Sequence, residues 1–418
     1  MSPHPAAPYT IDIVVQRQLD TLSTGNGAYL ETFLKTAKAA GFNVRVVFAP
    51  WRSFGNRPWS GFHPRFDAVV DTVVWPSALK LGANYWSTSP RVWARFVRRA
   101  LKEAARKVGM SAHVKSYLAT PLDAGERRRV ESVVSADPAD IVVAEYSALG
   151  PVLAALPERV SRAALMHDLM SVRCQTFIDQ GQEPDFEVMS LSEEAELVRN
   201  TDLMIYASAN ELGVLGPLLP KAEGVWLRPE PPHHELVATS GAPRVVFIGT
   251  RHAANSDTLD HFVDDIWPLV RQARPDTEFW VVGSIGQDLS ADRRARAGVR
   301  VLGRVDDLAS IGGAASVGVS PTRLASGVSI KVAEYLMLGM RCIASTKALE
   351  GFGEALHGLV QIEDTPRDFA DAVVAALDDA RGRAQHATTA PVEAARILSN
   401  ADVGAALLRF AERARKAR

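Results

Sequence analysis

One pattern constrains this chain more than any other. Short apolar runs ending in Gly or a small polar residue alternate with stretches of helical periodicity, and they do so twice over. In the second half the runs are RVVFIGT (244–250), TEFWVVG (277–283), VRVLGRV (299–305), ASVGVSP (315–321), RCIAST (341–346) and LVQIE (359–363). Runs with little polar alternation suit parallel strands covered on both faces. Between the first two, DTLDHFVDDIWPLVRQA (257–273) repeats Leu259, Phe262, Ile266, Leu269 and Val270 at helical spacing, behind Asn255 and Ser256 as caps. PRDFADAVVAALDD (366–379) opens on Pro366, whose fixed φ and missing N–H suit a first helical turn. This alternation predicts a doubly wound parallel sheet.

The first half repeats the theme with IDIVV (11–15), NVRVVFAP (43–50), DIVVAEY (140–146), RAALMHD (162–168), DLMIYAS (202–208) and GVWLRP (224–229). STGNGAY (23–29) reads as a glycine-containing loop into a helix that stops at Gly41. The predicted plan is a first α/β domain over 1–230, a Pro- and Gly-rich linker at 231–243 and a second α/β domain over 244–395. A C-terminal helix at 396–418 is expected to pack back on the first domain. Such sheets bind ligands at the carboxyl ends of their strands, so a cleft between the two domains is the expected site.

Residues 51–118 interrupt the alternation and hold five of the eight tryptophans: Trp51, Trp59, Trp75, Trp86 and Trp93. The segment ends in RVWARFVRRALKEAARKVG, where Val92, Trp93, Phe96, Val97, Ala100, Leu101, Ala104 and Val108 form one helical stripe. Arg91, Arg95, Arg98, Arg99, Lys102, Arg106 and Lys107 cover the opposite face. This helix, 91–108, either buries its stripe in the domain or lies on an anionic membrane surface as a peripheral contact.

Charge and cysteine content remove several classes. The net charge is −1, so nothing global calls for nucleic acid. Cys174 and Cys342, the two cysteines, lie in apolar surroundings and make no disulfide framework. The N-terminus lacks the basic and apolar regions of a signal peptide, and no run of about 18 apolar residues is available to span a bilayer. A cytoplasmic protein, membrane-associated at most on the inner face, is the expectation. Walker A, zinc-type and Gly-x-Ser-x-Gly patterns are absent, and no metal site or cofactor is indicated.

The chemistry concentrates in SVGVSPTRLASGVSIKVAEYL (316–336), a strand, a loop and a helix. The helix N-terminus offers unpaired amides and a positive dipole end, a setting for a diphosphate. Gly327 admits close backbone approach, and Ser326, Val328 and Ser329 line the same turn. Lys331 adds a cation near those phosphates. Glu334, three residues on, shares its face and as a carboxylate can accept from both hydroxyls of a ribose. The plain alternative is a Lys331–Glu334 pair on a solvated face. Gly249, Thr250 and Arg251 follow the first strand of the second domain, with Arg251 as a second phosphate clamp. Arg304 and Val305 end another strand, where they can frame a base. In the first domain Gly25, Asn26 and Gly27 permit close ligand approach, and His167 and Asp168 follow a strand, as a local pair or as reactive groups.

Together these stretches resemble the donor-binding half of retaining GT-B glycosyltransferases of the GT4 type. The resemblance runs through the Gly-ended strand at 244–249, RPD (274–276), VRVLGRVDDL (299–308), SPTRLASGVSIKVAE (320–334) and ALEG (348–351), and more loosely through the first half. It implies the GT-B fold, two Rossmann-like doubly wound domains facing a central cleft. It also implies a metal-free, retaining, hexosyltransferase-like enzyme that moves a sugar from a nucleotide-diphosphate sugar, a substrate, to a hydroxyl of a glycan, lipid-linked or other acceptor. Bacterial glycan or glycoconjugate assembly is the implied setting. Relatives carry two glutamates with seven residues between them. Glu334 matches the second, the ribose ligand, while Ser326 stands where the first would be. His167 matches a histidine that touches the donor sugar, and Lys331 and Arg251 would stabilise the leaving diphosphate. The leaving phosphate is thought to take the acceptor proton, so no side-chain nucleophile is implied. A sugar-nucleotide epimerase of the same fold and a non-catalytic nucleotide-sugar binder are the alternatives.

Overall fold

The computed structural model describes residues 8–20, 25–106, 116–179, 181, 183–184, 186–231, 242–324 and 327–417. The chain forms two compact units. One comprises residues 1–207, 211–227 and 400–418, the other 208–210 and 228–399.

Among the described residues the first unit carries ten strands: β1 (Thr10–Val15), β2 (Asn43–Phe48), β3 (Trp59–Gly61), β4 (Thr72–Val74), β5 (Ala78–Leu81), β6 (Asn84–Ser87), β7 (Ile141–Glu145), β8 (Ser161–Met166), β9 (Leu203–Tyr206) and β10 (Glu223–Trp226). Seven of them make one parallel sheet in the order β10-β9-β8-β7-β1-β2-β4. All five residues of β7 and all four of β9 are buried, which explains their unbroken apolar runs. β1 sits between β2 and β7, with Ile11 opposite both Val44 and Ile141. The strand order reverses there, so the ends of β1 and β7 flank the switch point of this sheet. The helix Ala401–Lys416 packs on this unit, with Phe410 O accepting from Ser161 Oγ at 2.8 Å.

The segment read as an interruption is part of this unit's architecture. It contributes β4 to the main sheet, and β3, β6 and β5 form a separate antiparallel sheet. Trp75 is 6% exposed and stacks between Phe48 (4.0 Å) and Phe54 (4.3 Å). The helix Pro90–Arg106 buries Val92 but leaves Trp93 40% and Val97 51% exposed, so its stripe is only partly covered within the unit. Lys107 and Val108 lie outside the described residues. A second difference concerns residues 25–29, read as loop. The helix Gly25–Ala39 already begins there, so Gly25, Asn26 and Gly27 form its first turn, behind residues 21–24, which are not described.

The second unit holds β11 (Arg244–Ile248), β12 (Glu278–Val282), β13 (Val299–Gly303), β14 (Ser316–Ser320), β15 (Arg341–Ala344) and β16 (Val360–Ile362). They pair in parallel in the order β13-β12-β11-β14-β15-β16, with the switch point between β11 and β14. Its core gathers Phe247, Phe262, Trp267, Phe279 and Phe369 beneath the sheet. The helix after β11 starts earlier than its periodicity predicts, at Ala253, because His252 caps it by accepting from Ala254 N at 3.3 Å. Asn255 and Ser256 are therefore inside the helix, and their side chains are available for other partners. Pro366 is the first residue of the helix Pro366–Asp378, which Thr365 caps.

No described helix is long and apolar enough to cross a membrane. Cys174 and Cys342 are buried free thiols. Most of the expected linker, residues 232–241, lies outside the described residues.

Candidate active site

In the second unit the site grows out of the helix Ile330–Met337, which packs directly behind the switch point. Tyr335 fixes it there. Its hydroxyl accepts from Ile248 N at 3.0 Å and donates to Val319 O at 3.1 Å, binding the helix to the ends of β11 and β14 at once. Gly318 makes this possible, since a Cβ there would lie 2.4 Å from the Tyr335 ring. The N-terminal turn is set by Gly327, whose φ of +76° is open to glycine at little cost. Gly351, in the ALEG turn, presses against that backbone. A Cβ on Gly351 would stand 2.7 Å from Gly327 O and 2.7 Å from Val328 Cγ2. Ser329 Oγ lies 3.4 Å from Ser320 Oγ at the end of β14. Ser326 and Ala325 lie outside the described residues.

Lys331, the second residue of this helix, makes no ion pair among the described residues. Its ammonium donates to Asn255 Oδ1 at 2.6 Å and lies 4.8 Å from the centroid of the Phe247 ring. Burial pulls its pKa down to about 8, with Glu334 opposing that shift. Glu334 is half-buried, and burial raises its pKa against the attraction of Lys331. The two are therefore electrostatic neighbours without forming the surface ion pair considered from sequence. A cation and an anion, both partly desolvated and neither tightly matched, favour a ligand that supplies the missing partners.

Asn255 links this helix to the loop after β11. Its amide donates to Thr250 O at 2.9 Å while its carbonyl oxygen accepts from the Lys331 ammonium. Gly249 is packed against Phe247 and Ile285. Arg251 is not drawn toward Lys331. It is 60% exposed and its Nε donates to Asp288 Oδ1 at 2.6 Å, with Ser256 Oγ donating to the same carboxylate at 2.9 Å. Arg304 is exposed and Val305 half-buried beyond β13. A separate cavity of about 190 Å³ opens at the ends of β14, β15 and β16, lined by Thr322, Ser345 and Asp364, without Lys331 or Glu334.

The first unit places its own charged group at its switch point. Arg17 follows β1, Glu145 ends β7 and His167 follows β8. Arg17 Nε and His167 Nε2 both lie 2.9 Å from Glu145 Oε1, and Glu145 and His167 have fully buried side chains. Burial would raise the Glu145 pKa, but Arg17 and His167 more than offset it and hold the carboxyl below its ordinary value. An ionised acceptor at Nε2 requires a proton on that nitrogen, and His167 Nδ1 is buried without a hydrogen-bond partner among the described residues. The partner of His167 is thus Glu145, 22 residues upstream, and not the adjacent Asp168. Asp168 is buried, which raises its pKa although Arg173 and His167 oppose the shift. The following amides are already used: Glu211 Oε1 accepts from Leu169 N at 3.0 Å, and Glu194 accepts from Met170 N at 3.0 Å and Ser171 N at 2.8 Å.

Glu145 and Tyr335 are not singled out by the sequence, and Asn255 appears there as a helix cap rather than as a partner of Lys331. Each acts through a partner far away in the chain. For Glu145, an acidic residue closing a buried strand is the available signal. No metal-holding group of His, Cys, Asp or Glu occurs among the described residues.

Residues 242–379 match the family described as glycosyl transferases group 1. No curated protein matches the chain. Among solved structures the chain is similar to a sucrose-phosphate synthase from Thermosynechococcus elongatus, at 16% identity, 98% of this chain, 100% of that one and a TM-score of 0.62. It is similar to Anabaena HepE, solved in complex with UDP, at 10% identity over 96% and 98% of the two chains, TM-score 0.57. It is also similar to WaaG, a glycosyltransferase involved in lipopolysaccharide biosynthesis, at 14% identity over 96% and 98%, TM-score 0.53. At these identities the likeness is one of fold, two parallel α/β sheets of seven and six strands as in GT-B enzymes.

Proposed function

We propose that this chain, a nucleotide-sugar glycosyltransferase of the GT4 type with the GT-B fold, anchors its donor at the second switch point through a division of labour. Lys331 and the amides of residues 327–329 take the diphosphate, Glu334 takes the ribose hydroxyls, and the exposed Arg251 is released from Asp288 to join the phosphates. One observation supports this most: the Lys331 ammonium is held by a neutral amide, and no carboxylate pairs with it among the described residues. A phosphate matches it better than Asn255 does, and in a partly desolvated site charge-assisted hydrogen bonds are the strong ones. HepE, of the same fold, was solved with UDP and with UDP and glucose, which fits a nucleoside diphosphate in this role.

In the first unit, His167 presents its unpartnered Nδ1 to a hydroxyl of the reacting sugar. Glu145 is the positioning residue that orients the imidazole, Asp168 adjoins it in sequence, and Gly25, Asn26 and Gly27 open the helix whose Tyr29 ring lies 6.5 Å from that of His167. Transfer proceeds with retention and without a metal, and the leaving diphosphate receives the acceptor proton. The acceptor is a hydroxyl of a glycan or lipid-linked saccharide in bacterial glycoconjugate assembly. The helix Pro90–Arg106 makes a peripheral contact with an anionic membrane, a role supported by exposed Trp93 and Val97 beside Arg91, Arg95 and Arg98.

The test is incubation with a panel of nucleotide sugars, following free nucleotide with and without candidate acceptors. Release that depends on acceptor, and is lost in Lys331→Ala, supports the proposal. Formation of a 2-epimer without acceptor, or binding without turnover under every acceptor, overturns it.

A further inference from the structure

The first unit holds a second built feature, remote in sequence from His167. Trp51 lies between the helices Pro90–Arg106 and Ala124–Ala136, at the wall of an open depression of about 850 Å³. Two guanidinium groups cover its ring, Arg91 at 4.4 Å and Arg129 at 5.6 Å from the centroid. Gly125 is the surface on which the indole rests, since a Cβ there would meet Trp51 Cη2 at 3.0 Å. Arg95 Nη2 donates to Trp51 O at 3.0 Å and fixes the backbone. Opposite stands Ser77, with φ +64°, a conformation that is uncommon outside glycine and must be held by its surroundings. Ser77 O accepts from Thr88 N at 2.9 Å and Ser77 Oγ from Arg129 Nη1 at 3.4 Å.

The charges of this depression are one-sided. Arg91, Arg128 and Arg129 line it, and among the described residues no carboxylate lies within ion-pair distance of any of them. Their neighbours are matched: Arg127 pairs with Glu131 and Arg52 with the buried Glu126. The first two turns of one helix thus separate a paired arginine from two unpaired ones that share the pocket with Arg91. Three planar forks around one concavity, with an aromatic wall and serine and threonine hydroxyls on its rim, suit a phosphate ester, whose oxygens accept bidentate bonds. A surface of scattered solvated arginines needs neither the glycine bed under Trp51 nor the left-handed Ser77.

We propose that this pocket binds a phosphate ester borne by the acceptor, either on a soluble phosphorylated saccharide or on a lipid. The assignment deepens the proposed transfer and rests on it in taking the bound molecule as the acceptor. The full-length chain is titrated calorimetrically at low salt with glucose 6-phosphate and, separately, with UDP. Sedimentation with vesicles of phosphatidylcholine alone or with added phosphatidylglycerol forms the second arm. The variants are the double substitution Arg91→Gln with Arg129→Gln, and Arg127→Gln as a surface control. The proposal expects glucose 6-phosphate affinity, or binding to the phosphatidylglycerol vesicles alone, to drop at least about tenfold in the double variant and to hold in Arg127→Gln. The first result assigns a soluble phosphate and the second a lipid phosphate. No binding in either arm, or equal loss in both variants, overturns the proposal. UDP separates this from the donor reading. UDP binding without any phosphate effect removes the pocket and leaves the donor site standing, whereas a phosphate effect without UDP binding removes the donor site and leaves the pocket.

Discussion

The two switch points share a strand order and differ in how their charges are satisfied. At the first, Arg17, Glu145 and His167 form a closed set in which a buried carboxylate serves two partners from one oxygen. At the second, Lys331 meets the side-chain oxygen of Asn255 and the Phe247 ring, and neither Lys331 nor Glu334 has an ion-pair partner among the described residues. A set matched in charge positions groups and stabilises the fold, even though Glu145 Oε2 and His167 Nδ1 have no hydrogen-bond partner among the described residues. An open set retains a desolvation cost that a ligand of opposite charge relieves. On the proposed reading, the same topology serves orientation in one unit and anchors an anion in the other.

The largest expected effect breaks the closed set. Glu145→Ala leaves Arg17 and His167 without their buried acceptor and costs about 3 kcal/mol of stability, read by chemical denaturation. Glu145→Gln keeps the shape and tests positioning separately: the loss falls on kcat with little change in the affinity for nucleoside diphosphate.

Lys331→Met should do the reverse. It removes a partly desolvated cation, so the melting temperature holds or rises, while nucleoside diphosphate affinity falls by about 2 kcal/mol or more. Gly351→Ala is expected to weaken donor binding by about 1–3 kcal/mol, because its Cβ drives the backbone at Gly327 and Val328 out of place. Binding that equals wild type would remove the role of that turn.

The smallest effect is a pH dependence. Lys331 must be protonated to hold a phosphate, and burial sets its pKa at about 8 in the free protein. Donor affinity should therefore be flat below that value and fall as pH rises through it, by up to about tenfold per pH unit. Donor binding above pH 8 should take up a proton, which calorimetry in buffers of different ionisation heat detects. Lys331→Met should lack this alkaline limb.

The parts of the molecule legible in sequence are those with local causes. Buried parallel strands announce themselves because both faces are apolar, as in β7, β9 and β14. Lys331 and Glu334 are visible because three residues on a helix share a face. The helix cap at His252 is hidden by better-known capping residues three and four positions later, and moving the start frees Asn255 for Lys331, 76 residues away. β4 is hidden because a three-residue edge strand carries too little pattern inside a tryptophan-rich segment. Glu145 reads as the end of a strand until β1 and β8 bring Arg17 and His167 beside it.

Calorimetric titration of wild type, Lys331→Met and Glu145→Gln with UDP, ADP and GDP at pH 7 tests the contrast most directly. At least one diphosphate should bind wild type and Glu145→Gln alike, and bind Lys331→Met at least about thirtyfold more weakly. Equal affinity in wild type and Lys331→Met, or equal loss in both variants, would contradict it.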